Sequence, residues 1–424
     1  MIILGISALY HDSAAAIVVD GKISAAAQEE RFSRVKHDKR FPINAVAFCL
    51  KTAGVTIGDI DLVCYYDNPL LTLQRFVANA ASLPEGEDDL VEWTYDDIFS
   101  KRIWIKNLFL KSCGKPKESC KFMVCEHHIS HAASAFYPSP FDEAMILTND
   151  GVGEWDTTTI GYGKNNDIKK VKTISYPHSL GLLYSAFTYY CGFKVNEGDY
   201  KFMGLAPYGV PKYYDLIKEN VIDVKEDGSY RLNLEYFDYQ NGRTMITDSL
   251  EKLLGSPRRE PESRITRHEM DVAASVQKIT EEIIVKQAKY AKSLYPEVKN
   301  IVLAGGCGLN CVANGVLLRE KIFDRIWIQP AAGDAGGALG AALYAYYSYL
   351  GNERVPEEYD SQQGSYLGLG YSNDEVKTWL EDNNIPYHEV SKEDRADAIA
   401  EHIANRKVIG LFQGRAEFGP RALG

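Results

Sequence analysis

The hydrophobic pattern predicts alternating strands and helices along the chain. Apolar runs separated by polar turns predict three antiparallel strands over residues 1–7, 13–19 and 22–28, with an Asp-Gly pair before the third. Apolar residues spaced three to four apart predict a long helix over 265–294. Further predicted strands are 60–66, 144–148, 157–162, 170–176, 300–304, 325–329, 386–390 and 408–412, and further predicted helices are 42–52, 179–191, 374–382 and 395–405. This alternation is typical of an α/β fold.

Changes in this pattern predict the domain organisation. We expect one unit over residues 1–150 and a second over 151–352, with a polar insertion near 222–265. Residues 353–364 are predicted to form a linker, and 365–424 the start of another α/β domain. Three antiparallel strands with a polar first turn indicate, by analogy, the phosphate-binding opening of the actin-like fold.

Composition narrows the classes of function. The 424 residues are 45% hydrophobic and 25% charged, which is ordinary for a soluble globular protein. The net charge of -11 argues against nucleic-acid binding as the main role. No apolar run is long enough to span a membrane and no signal peptide is evident, so we expect a cytoplasmic protein. The eight cysteines include no Cys-X-X-Cys pair and are predicted to be reduced thiols.

The main chemical signal is a pair of histidines followed by a carboxylate. His127 and His131 are four residues apart at a predicted helix start, so their imidazoles project from one face and can share a metal ion. The next predicted strand delivers Asp150 at its carboxyl end, before two glycines that let backbone approach a ligand. Two histidines and a carboxylate suit non-haem iron or zinc. The alternative is a helix that carries surface histidines.

Polar residues in other turns are further candidates. His11 and Asp12 lie in the first predicted turn, where they either face a ligand or only form the turn. The glycines after residue 304 end a predicted strand and open a helix, which favours the approach of a nucleotide. Asp334 either caps its helix or serves as a fourth metal ligand. Lys201, in a predicted loop over 197–209, either reaches a phosphate or stays in solvent.

Seven motifs follow one another in an informative order. They are His-Asp-Ser-Ala-Ala at 11–15, Glu-Glu-Arg-Phe-Ser-Arg at 29–34, His-His-Ile-Ser-His-Ala at 127–132, Asn-Asp-Gly at 149–151, Lys-Phe-Met-Gly-Leu-Ala-Pro-Tyr-Gly at 201–209, Gly-Gly-Cys-Gly-Leu-Asn at 305–310 and Gly-Arg-Ala-Glu-Phe-Gly-Pro-Arg-Ala-Leu-Gly at 414–424. In this order they resemble the bacterial O-carbamoyltransferases of antibiotic and nodulation-factor biosynthesis. The resemblance covers essentially the whole chain.

This resemblance implies a fold and a reaction. The first domain is expected to have the actin-like ASKHA fold, a duplicated RNase H-like unit, as in the related metalloprotein that makes threonylcarbamoyladenosine in tRNA. The second is expected to be a YrdC-like α/β domain that joins carbamoyl phosphate to ATP, with Mg²⁺, to give carbamoyl-adenylate. The first domain then moves the carbamoyl group to a hydroxyl of a small-molecule acceptor. Because the sequence stops inside the last motif, we expect the second domain to be mostly missing.

The resemblance also implies residue roles. The metal ligands, with iron(II) expected and zinc as the alternative, match His127, His131, Asp150 and Asp334. The catalytic turn matches His11 as the base, with Asp12 beside it. Residues expected to contact the adenylate are Gly151, Gly153, Lys201, Gly204, Gly305, Gly306, Asn310 and Gly333. The residues that match the site for carbamoyl phosphate and ATP are Arg415, Glu417 and Arg421.

Three other functions stay open at this point. An actin-like ATPase or kinase would bind ATP with magnesium and need no histidine pair. A tRNA-modifying protein would need a partner assembly and a basic docking face, which the net charge disfavours. A non-catalytic binding module is the third alternative. We expect no nucleic-acid partner and no membrane contact, and leave open whether the chain forms a homodimer.

Overall fold

Two five-stranded sheets organise the chain in the computed structural model, which describes residues 1–81, 98–240 and 244–420. The first sheet contains β1 Ile2–Ser7, β2 Ala14–Val19, β3 Lys22–Gln28, β4 Leu62–Tyr65 and β5 Lys121–Val124. The second sheet contains β6 Glu143–Asn149, β7 Asp156–Lys164, β8 Asp167–Ser175, β11 Asn300–Ala304 and β12 Arg325–Ile328. A small hairpin pairs β9 Ile222–Val224 with β10 Tyr230–Leu232.

The two sheets share one topology. In the first, the order is β3-β2-β1-β4-β5, with three antiparallel strands and then two that run parallel to β1. In the second, the order β8-β7-β6-β11-β12 repeats this pattern, with β11 and β12 parallel to β6. This repeat is the duplicated RNase H-like arrangement of the actin-like fold. The fold expected from the sequence is therefore confirmed.

Helices cover the faces of both sheets. The helices of the first half are α1 Glu30–Ser33, α2 Ile43–Ala53, α3 Pro69–Ala81, α4 Ile105–Cys113 and α5 His127–Phe136. Those that follow are α6 Leu180–Tyr190, α7 Asp199–Leu205, α8 Tyr214–Asn220, α9 Asp248–Leu254, α10 Arg267–Leu294, α11 Cys311–Glu320, α12 Asp334–Tyr344, α13 Asn373–Asp382 and α14 Arg395–Ala404. Among the described residues, no helix is both long and apolar enough to cross a lipid bilayer.

Helices α5 and α12 occupy equivalent positions, each after the fifth strand of its sheet, and pack against each other. Glycine allows this close contact. A Cβ atom at Gly340 on α12 would lie 1.7 Å from the carbonyl oxygen of Ser130 on α5. Helix α12 packs equally closely on the first sheet, since a Cβ atom at Gly5 on β1 would lie 1.9 Å from the carbonyl oxygen of Ala338. The close packing brings the amino-terminal ends of both helices to the junction between the sheets.

Several segments differ from the sequence prediction. Residues 197–209 were predicted to form a loop, but most of them form α7 and the turn after it, because buried Phe202 and Leu205 anchor the segment in the second core. Residues 222–265 are less peripheral than predicted, since the hairpin buries Tyr230 and Leu232.

The carboxyl-terminal segment also departs from the prediction. The strands predicted at 386–390 and 408–412 do not form, and Val408 is 99% exposed. A strand needs a partner for its backbone groups, and the described residues offer none there. The predicted linker is irregular as expected, but Arg354 within it is buried and donates to the carbonyl oxygens of Phe136 and Ser139 at the end of α5.

The expected domain boundaries remain predictions. Strand β6 precedes residue 151 and pairs in the second sheet, whereas α12 comes late in the chain and packs against β1. Near the candidate site, each sheet is therefore completed or covered by an element from the other part of the sequence.

Candidate active site

Four predicted metal ligands meet between the two sheets. The Nε2 atoms of His127 and His131 are 3.0 Å apart. Asp150 Oδ2 lies 3.2 Å from His127 Nε2 and 3.7 Å from His131 Nε2, and Asp334 Oδ1 lies 3.7 and 3.8 Å from the same two nitrogens. All four side chains are buried, and their donor atoms lie within 4.8 Å of one another.

Local structure explains this convergence. His127 and His131 lie one turn apart on α5, as their spacing predicts. Asp150 follows directly after β6, and its Oδ1 accepts a hydrogen bond from the Gly306 backbone N–H at 2.8 Å. Asp334 does not cap α12, because Gly333 occupies the cap position. Its carboxylate instead faces the histidines.

The four side chains fit a transition metal. Two imidazole nitrogens and two carboxylates are a ligand set that suits iron(II) or zinc. Burial alone would lower the pKa of His127, but the carboxylates of Asp334 and Asp150 outweigh it and raise this pKa to about 10. The buried cluster therefore favours positive charge at its centre, which a bound cation would supply.

A cleft of about 770 Å³ opens beside this cluster. The cleft is lined by seven of the predicted site residues, namely His11, Asp12, Asp150, Gly151, Gly306, Asn310 and Gly333. The remaining lining is rich in aromatic side chains, including Tyr10, Phe76, Tyr176, Tyr184 and Tyr239. The cleft is thus both large enough and mixed enough in polarity to hold a small-molecule ligand.

His11 faces the cluster from the turn between β1 and β2. Its Nε2 lies 3.8 Å from Asp334 Oδ2, and its Nδ1 lies 2.8 Å from Asp12 Oδ2. The other carboxylate oxygen of Asp12 lies 2.8 Å from His37 Nδ1. Burial would lower the pKa of His11, but the charge of Asp334 and the hydrogen bond to Asp12 raise it to about 9.

Other predicted contacts do not reach the cleft. Gly153 instead packs directly against His127, since a Cβ atom at Gly153 would lie 3.0 Å from His127 Cβ. Gly305 has a φ of +82°, and a Cβ atom would lie 2.3 Å from the carbonyl oxygen of Asn149. Lys201 and Gly204 are exposed on α7, whose Tyr200 and Met203 line the cleft instead. Helix α7 was not predicted from the sequence, and its geometry determines which side chains of this motif face the cleft.

The last motif packs against the first half of the chain. Arg415 donates from Nε to the carbonyl oxygen of Gly368 at 3.0 Å, and its terminal nitrogens donate to those of Leu367 and Ser24. Phe418 is buried and Glu417 is half-buried. Arg421 lies outside the described residues. In this structure the Arg415 guanidinium donates to backbone carbonyl oxygens, and its role toward carbamoyl phosphate and ATP stays a prediction.

Four residues at the site were not singled out from the sequence. Tyr66 donates to Asp334 Oδ2 at 3.1 Å, and Glu154 accepts from the His127 backbone N–H at 2.8 Å. His37 contacts Asp12, and Arg75 lines the cleft. Tyr66 ends a predicted strand and Glu154 follows the glycine turn, so both lie at positions where a ligand contact is common. Nothing local distinguishes His37 from the charged run around it.

Comparison with known proteins identifies the family. A family model described as "Carbamoyltransferase N-terminus" matches residues 2–343. The chain belongs to the carbamoyltransferase family. It is 50% identical to the uncharacterized protein sll1178 of Synechocystis sp. over 431 residues, which cover 100% of this chain and 70% of that protein. It is 34% identical to the nodulation protein NolNO of Sinorhizobium fredii over 421 residues, which cover 98% of this chain and 57% of that protein.

These relatives extend the family assignment to nearly the whole chain. The chain spans 70% and 57% of their respective lengths. Among solved structures, component A of the (R)-2-hydroxyglutaryl-CoA dehydratase of Acidaminococcus fermentans superposes with a TM-score of 0.42 and 16% identity, covering 82% of this chain and 99% of that one. A likeness this distant says nothing about function. The family assignment of this chain rests on the family model and on its sequence relatives.

Proposed function

We propose that the chain transfers a carbamoyl group from carbamoyl-adenylate to a hydroxyl group of a small-molecule acceptor, assisted by a divalent metal. Family membership supports the reaction class. The observation that carries the proposal is the convergence of four buried metal ligands beside a histidine that faces the cleft. In the whole protein, ATP with Mg²⁺ and carbamoyl phosphate would supply the adenylate.

The chain's own residues divide the chemistry. His127, His131, Asp150 and Asp334 would hold iron(II) or zinc, which when bound supplies a Lewis acid for the carbamoyl oxygen. His11 accepts the proton of the attacking hydroxyl at Nε2, because Asp12 engages its Nδ1. The hydroxyl oxygen then bonds to the carbamoyl carbon, and the bond to the phosphate oxygen of AMP breaks.

The same turns offer a place for the departing AMP. Gly151, Gly306 and Gly333 line the cleft, so backbone rather than side chains forms its wall at these points, and the Gly306 N–H is already donated to Asp150. Asn310 lines the same wall and caps α11 through its side chain. Helix amino termini and glycine turns are suited to phosphate groups.

This mechanism requires His11 to be neutral when the hydroxyl attacks. A pKa of about 9 leaves the imidazole protonated at neutral pH, and a general base must be neutral. Asp334 and Asp150 contribute to this shift only while their negative charge is uncompensated. When a cation neutralises both carboxylates, the pKa of His11 falls toward its ordinary value near neutrality.

Metal analysis and a transfer assay test the proposal together. The purified chain should contain iron or zinc and should carbamoylate at least one member of a panel of hydroxylated sugars and antibiotics when given preformed carbamoyl-adenylate. Removal of the metal by a chelator should stop the transfer, and metal addition should restore it. Magnesium-dependent ATP hydrolysis that persists after chelation of transition metals, without any transfer, would favour an actin-like ATPase instead.

A further inference from the structure

Arg75 is a buried cation whose hydrogen-bonding capacity is largely unused. It lies on α3 with 7% of its surface exposed, and its Nε donates to the carbonyl oxygen of Glu154. Among the residues that the structure describes, none accepts a hydrogen bond from its two terminal nitrogens, and no carboxylate oxygen lies within ion-pair distance, although the charge of Asp67 acts on the group from further away. Such a group is costly to bury unless something completes its bonding.

The guanidinium is held in place and opens toward the cleft. Its central carbon lies 4.4 Å from the ring centroid of Phe76 and 5.1 Å from that of Tyr176. All three side chains line the cleft. The backbone hydrogen bond and the two rings fix the orientation of the group, so its two terminal nitrogens form a preorganised fork.

The location of this fork points to the acceptor rather than to the nucleotide. Helix α3 supplies none of the glycine turns or amides assigned to the adenylate. Tyr10 lines the same cleft as Arg75, and its ring lies 4.6 Å from the ring of His11, the candidate base. A group bound at Arg75 would therefore belong to a molecule whose hydroxyl reaches His11.

We propose that Arg75 recognises a carboxylate on the acceptor, so that the chain acts on hydroxylated ring compounds that carry a carboxylate near the reacting hydroxyl. This inference rests on the proposed function. A guanidinium fork matches the two oxygens of a planar carboxylate in a bidentate pair. The aromatic walls formed by Phe76, Tyr176 and Tyr10 suit a ring next to that carboxylate.

Binding of matched probes tests the proposal without any transfer reaction. Glucuronate is compared with glucose, and 4-hydroxybenzoate with 4-hydroxybenzyl alcohol, by calorimetric titration of the full chain. In at least one pair, the probe with the carboxylate should bind roughly tenfold to a hundredfold more tightly than the neutral probe, as expected for hydrogen bonds to a charged group. Arg75→Met should remove this preference, because it should weaken the binding of the carboxylate probe far more than that of the neutral probe.

Two further variants make the test specific. Arg75→Lys keeps the charge but lacks the fork, so it should lose most of the preference, and it decides the outcome if Arg75→Met does not fold. Arg258→Met is the control, because Arg258 also stacks on a tyrosine, at 3.7 Å from the Tyr189 centroid, and donates to a backbone carbonyl, but lies outside the cleft. It should leave the preference intact.

The outcomes separate this proposal from the proposed function. Equal binding within both probe pairs, or a preference that survives in folded Arg75 variants, overturns the role of Arg75 even if carbamoyl transfer to neutral acceptors is observed. A carboxylate preference that depends on Arg75 supports the subsite even if the transfer assay fails.

Discussion

The two halves of the chain present equivalent elements to the cleft but supply different chemistry. In each half, the turn after the first strand and the helix after the fifth strand reach the site. The turn of the first half carries His11, and the equivalent turn of the second half begins with Asp150. Helix α5 contributes two histidines and α12 contributes Asp334. The duplicated scaffold thus sets where side chains meet, and the residue at each position decides what it does.

Carboxylates in the two equivalent turns illustrate the same point. Burial would raise the pKa of Asp12, but hydrogen bonds from His11 and His37 hold it below its ordinary range. Burial and the nearby charge of Asp67 instead raise the pKa of Glu154 to about 7. Equivalent positions in the fold therefore hold one carboxylate that stays ionised and one that titrates near neutrality.

The largest expected effect comes from the turn of the second half. Asp150→Asn keeps the size of the side chain and an oxygen for the Gly306 N–H, but removes the charge that a metal needs. Metal content should fall to a small fraction of wild type, and transfer should slow by roughly a thousandfold, as expected when several kcal/mol of Lewis-acid stabilisation is lost. Elemental analysis and single-turnover assays measure both quantities.

Asp156→Asn is the matched control for this variant. Asp156 lies six residues further on and pairs with Lys170 at 3.1 Å near the surface, so its loss removes a charge without touching the cluster. Wild-type metal content in Asp150→Asn would show that Asp150 is not a ligand.

The equivalent turn of the first half should behave differently. His11→Ala removes the candidate base and should slow transfer by roughly a hundredfold or more, while metal content stays at the wild-type level. His402→Ala, which changes an exposed histidine on α14, should alter neither quantity. If His11→Ala loses metal together with activity, the division of roles between the two turns is wrong.

The sequence predicted the cluster because its geometry is largely local. The spacing of His127 and His131 on a helix, and the position of Asp150 at a strand end, follow from short-range periodicity. The role of Asp334 required the resemblance to a known family, because its neighbours in sequence are also consistent with a helix cap. The structure shows Gly333 in that cap position and Asp334 beside the histidines.

Contacts between distant segments could not be predicted in this way. Arg75 reaches the backbone of Glu154 across 79 positions, and His37 meets Asp12 across 25. The motif of Arg415 predicts phosphate binding, and only the fold shows that its guanidinium also donates to carbonyl oxygens 47 and 48 positions away. Predicted strands near the carboxyl end failed for the same reason, since pairing depends on a neighbouring strand and not on apolar composition.

The smallest expected effect concerns Glu154 and the pH dependence of stability. Its pKa is near 7 in the folded protein and 4.5 in an ordinary glutamate, so the folded state binds the proton more tightly. This group therefore contributes stability below pH 4.5 that is lost as the pH rises through 7. The backbone N–H groups of His127 and Asn68 both donate to Oε1, which leaves Oε2 to carry the proton.

Glu154→Gln should flatten this dependence. The amide mimics the protonated acid and keeps an oxygen for both backbone donors, but it cannot ionise beside Asp67. Between pH 5 and pH 8, the free energy of unfolding of metal-free wild type should fall by about 2 kcal/mol relative to that of the variant, because burial of the ionised carboxylate becomes unfavourable. Urea titrations at both pH values measure the difference. Glu126→Gln, which removes an exposed partner of Lys170, should show no such shift. A constant difference between wild type and Glu154→Gln at the two pH values would mean that Glu154 is ionised throughout, as Asp12 is, and that the two turns do not differ in this respect.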